Sequence, residues 1–177
     1  MKLLNDKNIS TNAKKKFNKL IEPNINNLYK FICAYTGDVV LSQDLLQECL
    51  IKAYLNIDSL KDEKKIKSWL FCIATNCAKD YFKKNKLQFE LQMEVADEIN
   101  RHYEIEMKQD ITQFLLYLNS DERKIIILKD MLGYSYCEIA DILCINESNV
   151  GVQLYRARDK FKEIIIKSNY LEKRVEL

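Results

Sequence analysis

Residues 135–150 read SYCEIADILCINESNV. Ser135 and Glu138 stand in the S-x-x-E spacing of a capping box, in which a hydroxyl and a carboxylate satisfy amides that a helix start leaves without partners. A helix is therefore expected from Tyr136 to near Cys144, and Asn146, a good N-cap residue, is expected to open the next one. Beyond it Val150, Leu154, Ala157 and Phe161, spaced by 4, 3 and 4 residues, fall on one helical face. Ile139, Leu143 and Ile145 supply the apolar counterpart, and small Ala140 lets the two helices approach closely. Two helices joined by so short a break decide the reading of the fold.

This pairing leaves Ser148, Asn149, Val152, Gln153 and Arg156 facing outward near the start of the second helix, with Arg158 and Lys160 flanking. Amides and arginines read base edges in the major groove, and basic flanks hold phosphates. A short helix set just ahead of such a helix is helix-turn-helix geometry. An ordinary helical hairpin with a solvated polar face is the alternative this segment leaves open. Gly151 inside a helix costs about 1 kcal/mol relative to alanine, and close approach to a DNA backbone is its expected use.

Working outward, the chain has 177 residues, room for one domain or two small ones. Three glycines and one proline are too few for the tight turns of a sheet-rich fold, so an all-α chain is expected. A net charge of +2 with 47% apolar residues describes a soluble globular chain. The first residues, MKLLNDKNIS, lack a signal peptide's apolar run, and no stretch approaches the ~20 apolar residues of a membrane span. A cytoplasmic chain that is not itself a membrane protein is the expectation. The six cysteines form no C-x-x-C pair, and the single histidine, His102, is far from them in sequence. They are expected to be reduced core thiols, with no metal site and no cofactor, zinc binding or a redox switch being the alternative.

Charge is distributed in blocks. Residues 61–86 carry eight lysines against three acids, residues 87–122 nine acids against two basic residues, and residues 151–167 five basic residues against two acids. Two basic modules thus flank an acidic connector. The expected division is an extension over 1–15, a first module over 16–86, a connector over 87–109 and a second module over 110–177. In the first module LSQDLLQECLIKAYLNI (41–57) places Leu45, Cys49 and Ala53 on one face and leaves Asp44, Gln47, Glu48 and Ile51 on the other. Then IKSWLFCIATNCAKDYFKK (66–84) carries a stripe of Ile66, Leu70, Ile73, Cys77 and Tyr81 opposite a polar face with Thr75, Asn76, Lys79 and Lys83. In the second module helices are expected near 110–118, 121–132, 135–143 and 147–167.

In order, the blocks IEPNINNLYKFICAYTGD, SQDLLQECLIKAYLNIDSL, IKSWLFCIATNCAKDYFKK and LNSDERKIIILKDMLGYSYCEIADILCINESNVGVQLYRARDKF resemble the extracytoplasmic-function (ECF) group of bacterial sigma factors, the promoter-recognition subunits of RNA polymerase. The resemblance implies two small helical domains, a region 2 bundle and a region 4 helix-turn-helix. It implies that Asp44, Gln47 and Glu48 grip the coiled-coil helices of the largest polymerase subunit. Trp69, Asn76 and Asp80 match the block that recognises and opens the minus-ten element, and the loop from Asp58 to Lys65 the segment that captures an unstacked base. The last helix matches the minus-thirty-five reader, through Ser148, Asn149, Val152, Gln153, Arg156, Arg158 and Lys160. A membrane-bound anti-sigma factor that wedges between the modules is implied as a further partner.

The chemistry fits those roles, because single strands are held by cations on phosphates and by pockets or aromatic faces for bases. Lys64, Lys65, Lys67, Lys79, Lys83 and Lys84 supply the cations, while Phe71, off the main stripe, is the expected stacking residue and Trp69 and Tyr81 are expected in the core. No catalytic constellation and no small-molecule substrate are expected, since opening a duplex makes no bond. Cys144 stands where the family often has glycine. The alternative is a helix-turn-helix regulator that does not direct initiation, for which the Asp44, Gln47, Glu48 face is ordinary solvated surface. The acids Glu90, Glu94, Asp97 and Glu98 are expected to shield the basic faces in the free protein, and the lysines at 14–16 to be a solvated charge run.

Overall fold

The computed structural model describes residues 11–85 and 111–168, and these are helical with no strand among them. The acidic connector, His102 and the shielding acids lie outside the described residues. Four helices make the first module: α1 (Thr11–Ile21), α2 (Ile25–Thr36), α3 (Val39–Asn56) and α4 (Ile66–Lys84). The second module opens with a 3-10 segment, Ile111–Tyr117. Then come α5 (Ser120–Ile126), which continues as π-helix through Ile127–Met131, α6 (Tyr136–Leu143) and α7 (Glu147–Lys167).

Local chemistry sets the breaks. Gly37 ends α2 with φ 71°, its amide donating to the Cys33 carbonyl at 2.9 Å. A side chain there is disfavoured twice, by the left-handed φ and because an added Cβ would meet Leu116 Cδ1 at 3.1 Å and push it back. Asp38 then caps α3, accepting from the Leu41 amide at 3.0 Å. Asn119 with Glu122 and Ser135 with Glu138 form complete capping boxes at the starts of α5 and α6. Asn146 precedes α7, but its side chain makes no capping hydrogen bond, contrary to the sequence expectation.

The apolar faces pack into one continuous core that crosses from module to module. Phe31, Leu45, Cys49, Ala53, Leu70 and Cys77 fill the first bundle. Ile125, Ile127, Leu128, Ile139, Val150, Leu154 and Ala157 fill the second, as the 4, 3, 4 stripe predicts, and belong to the same cluster. Phe71 is 4% exposed and set edge-on to both Phe31 (4.9 Å) and Tyr134 (5.9 Å). It is a core residue at the junction and not the stacking platform expected from sequence. Tyr81, expected in the core, is exposed instead, and Thr75, expected on the polar face, is buried with its hydroxyl donating to the Phe71 carbonyl at 2.8 Å. The buried stripe of α4 thus runs through Leu70, Phe71, Ala74, Thr75, Cys77 and Ala78, because this helix is covered by α2 and α3 on one side and by the second module on another.

Polar contacts staple the same junction. The Arg123 guanidinium donates to the Leu115, Leu116 and Leu118 carbonyls and to Tyr35 O, at 2.7–3.0 Å, and lies 5.0 Å from the Tyr35 ring. Lys67 pairs with Glu138 at 2.8 Å, Tyr35 Oη with Ser120 Oγ at 2.9 Å, and Gln113 Nε2 donates to Gly37 O at 2.9 Å.

Candidate nucleic-acid interface

Each surface singled out in the sequence maps to one element. On α3, Asp44, Gln47 and Glu48 are exposed together with Ile51. The same face carries Val40 (72% exposed) and Leu55 (59%), which the sequence reading did not single out. The spacing 40, 44, 47, 48, 51, 55 keeps all six on one side of the helix. Glu48 is paired with Lys52 at 2.7 Å, so part of the acidic charge is already balanced.

On α4 and the turn before it, Lys64, Lys65, Asn76, Lys79, Asp80, Lys83 and Lys84 are exposed. The run from 57 to 65 is two 3-10 turns separated by Leu60, Lys61 and Asp62, the second capped by Asp62 accepting from the Lys64 amide at 3.0 Å. Lys16 anchors the first of these turns, donating to the Ile57 and Leu60 carbonyls at 3.2 and 3.0 Å. One member of the lysine run is thus a buttress for this loop and not merely solvated charge. The signal was out of reach of sequence, since the partners are 41 and 44 residues away.

Along α7, Ser148, Asn149, Val152 and Arg156 are exposed and Gln153 is half-buried. Tyr155, 73% exposed, joins them and was missed. Arg158 is held bidentately by Asp130, with Nε at 3.0 Å from Oδ2 and Nη2 against Oδ1, and Lys160 pairs with Glu122 at 2.9 Å. Those two cations meet carboxylates of the preceding helices, whereas no ion pair is recorded for Arg156 among the described residues. An added Cβ at Gly151, which is half-buried, would meet the Tyr136 ring at 3.5 Å, an ordinary van der Waals contact, so the packing of α7 on α6 does not itself require glycine there.

Between α4 and the end of α6 lies a cleft of about 680 Å³, lined on one side by Trp69, Cys72, Asn76 and Lys79 and on the other by Leu143 and Cys144. Trp69 is half-buried there. Lys67, on α4, is engaged across the boundary by Glu138, and that ammonium, with the Ser135 amide, draws the Glu138 carboxyl down to about 2. The expectation that the cysteines are core thiols holds for Cys49 and Cys77; Cys72, Cys137 and Cys144 are exposed.

Comparison with known proteins places these elements. Residues 20–88 match the family model for sigma-70 region 2 and residues 108–161 that for sigma-70 region 4. The ECF RNA polymerase sigma factor SigM of Bacillus subtilis is 30% identical over 146 residues, covering 79% of this chain and 89% of the relative. The chain belongs to the ECF sigma factors. SigW of the same organism is also 30% identical, over 154 residues, with 78% and 82% covered. Among solved structures, the sigma factor RpoE in complex with the anti-sigma factor NepR from Bartonella quintana superposes with a TM-score of 0.60 at 25% identity, covering 85% of this chain and 97% of that one. This sigma factor is therefore a non-enzymatic initiation factor, and the cleft lies between its regions 2 and 4. Among the described residues no helix is long and apolar enough to cross a membrane.

Proposed function

We propose that this sigma factor binds core RNA polymerase through the exposed face of α3, using Asp44, Gln47 and Glu48 with the apolar Val40, Ile51 and Leu55 beside them. Polar groups set the register of such a surface and apolar ones provide its buried area. It binds the minus-ten element through Lys64, Lys65, Lys67, Asn76, Lys79, Asp80, Lys83 and Lys84. It reads the minus-thirty-five element through Ser148, Asn149, Val152, Gln153 and Arg156, with Arg158 and Lys160 exchanging carboxylates for phosphates. Residues 16–86 and 110–177 are the two working domains, joined by 87–109, and the protein acts in the cytoplasm. An anti-sigma factor is its expected inhibitor, as NepR is the partner in the RpoE complex.

The observation that carries this reading is the open start of α7, with Arg156 unpaired among the described residues, in the same chain as a region 2 bundle with an exposed basic α4. Size gives a further consequence. A compact chain of 177 residues has a radius of gyration of about 16 Å, hence a diameter near 40 Å. Elements centred about 25 base pairs apart are separated by roughly 85 Å of duplex at 3.4 Å per pair. The packed arrangement of the two modules is a resting state, and promoter binding requires them to part.

The test is transcription from a genomic fragment library by bacterial core polymerase with and without this protein. New start sites sharing upstream motifs, lost with Arg156→Ala or Asn76→Ala, are expected. Duplex binding without any new start would favour a regulator that does not direct initiation.

A further inference from the structure

Cys72 and Cys144 are both exposed, and both line the cleft between α4 and the helix-turn-helix break. Ser68, Cys72 and Asn76 follow one another by four residues along α4 and so share one face. Ser68 Oγ donates to Ile142 O at 3.3 Å and lies 3.6 Å from Cys144 Sγ. Asn76 Nδ2 is 3.7 Å from Cys72 Sγ. The Cys144 thiol thus sits against the α4 row one turn from the Cys72 thiol, a rise of about 6 Å. A disulfide needs its two Cα atoms within about 7 Å, so closing the bond requires α6 to shift along α4 toward Cys72 by about that one-turn rise. Cys144 also occupies a backbone position that favours another residue: its φ is 54°, left-handed, where glycine is unstrained.

We propose that Cys72 and Cys144 form a redox pair that closes as a disulfide across the cleft and locks regions 2 and 4 in the packed resting arrangement. With hydrogen peroxide as oxidant, one thiolate attacks the O–O bond, giving a sulfenic acid and hydroxide. The second thiolate then displaces hydroxide from the sulfenic sulfur, forming the S–S bond. The two hydroxides take up the two thiol protons, so two thiols and one peroxide give one disulfide and two waters. The bridge ties α6 to α4 and so keeps regions 2 and 4 from parting. Both promoter readers are then withheld until a thiol reductant reopens the pair. Cys49 and Cys77 are the competing pair: the Cys49 thiol and the Lys52 ammonium pull Cys77 down to about 7, but both sulfurs are buried at 1% exposure and shielded from peroxide.

The functional consequence rests on the assignment of α4 and α7 to promoter DNA, whereas the bond itself does not. The full reduced chain is treated with hydrogen peroxide, quenched with catalase, and mapped by peptide mass spectrometry without reductant. The expected product is a linked Cys72–Cys144 peptide pair that dithiothreitol releases and that Cys72→Ser or Cys144→Ser abolishes. In a Cys72→Ser background, Ser68→Cys should restore a bridge to Cys144. Linkage of Cys49 to Cys77, or none involving Cys144, overturns the pairing. In the start-site assay the oxidised protein should lose at least tenfold in promoter output, recovered by dithiothreitol, while the oxidised Cys144→Ser protein keeps its output. Equal output from bridged and reduced chains overturns the lock. A reduced chain that gives no starts refutes instead the promoter assignment and leaves the bond to be judged by its peptides.

Discussion

Removing the Arg123 guanidinium should loosen both modules at once. Its nitrogens serve four carbonyls, three at the end of the 3-10 segment and one, Tyr35 O, at the end of α2. Burial lowers the pKa of this arginine, yet the guanidinium stays charged at any working pH. At about 1 kcal/mol net per hydrogen bond the set contributes about 4 kcal/mol, and the Tyr35 ring adds about 1 kcal/mol. Against this, the arginine's own desolvation is recovered when it is replaced, so Arg123→Met should cost about 3–4 kcal/mol. At about 2–4 °C per kcal/mol for a chain of this size, Tm should fall by roughly 6–16 °C. Arg123→Lys should recover no more than about half, since one ammonium cannot reproduce the planar fork. Circular dichroism melts of the three proteins at equal concentration decide it. A fall under 2 °C for Arg123→Met would refute the idea that this side chain ties the modules together.

Three further outcomes follow from particular residues. Phe71→Ala should cost about 3–5 kcal/mol in urea unfolding, as expected for a buried aromatic; a stable variant defective only in promoter opening would mean that Phe71 stacks on DNA after all. Glu138 titrates near 2 when folded against about 4.3 when unfolded, so its contribution is present above the unfolded value and is lost as pH falls from about 5 toward 2. The pair is about 40% exposed on each side, which limits the effect to about 0.5–1 kcal/mol; Glu138→Gln should flatten the pH dependence of Tm in that window, and an unchanged slope would contradict the pairing. Cys144→Gly should raise stability by about 0.5 kcal/mol, because relief of left-handed strain outweighs the larger unfolded entropy of glycine, and a loss of stability in a urea titration would show that the thiol is needed for packing.

The sequence by itself determined the all-helical character and the start of α6, whereas Asn146 makes no cap bond and α1 begins at Thr11, inside the stretch expected to be an extension. The capping box at Ser135, the scarcity of glycine and proline, and the 4, 3, 4 stripe of α7 act within a few residues of one another, where spacing is geometry. Ordered blocks likewise carried the family, which the region 2 and region 4 matches and the relatives show. What spacing could not supply was which face of each helix meets another module. Phe71 and Thr75 are buried because α4 is covered on two sides, whereas Tyr81, near the end of the helix beside α3, is only partly covered. Lys16 supports a loop 41 residues away, Arg123 bridges to a carbonyl 88 residues away, and Cys144 faces an α4 serine 76 residues away. Such pairings depend on how two separately stable-looking halves dock, and docking is fixed by the shape of buried surface, which only the tertiary structure brings into contact.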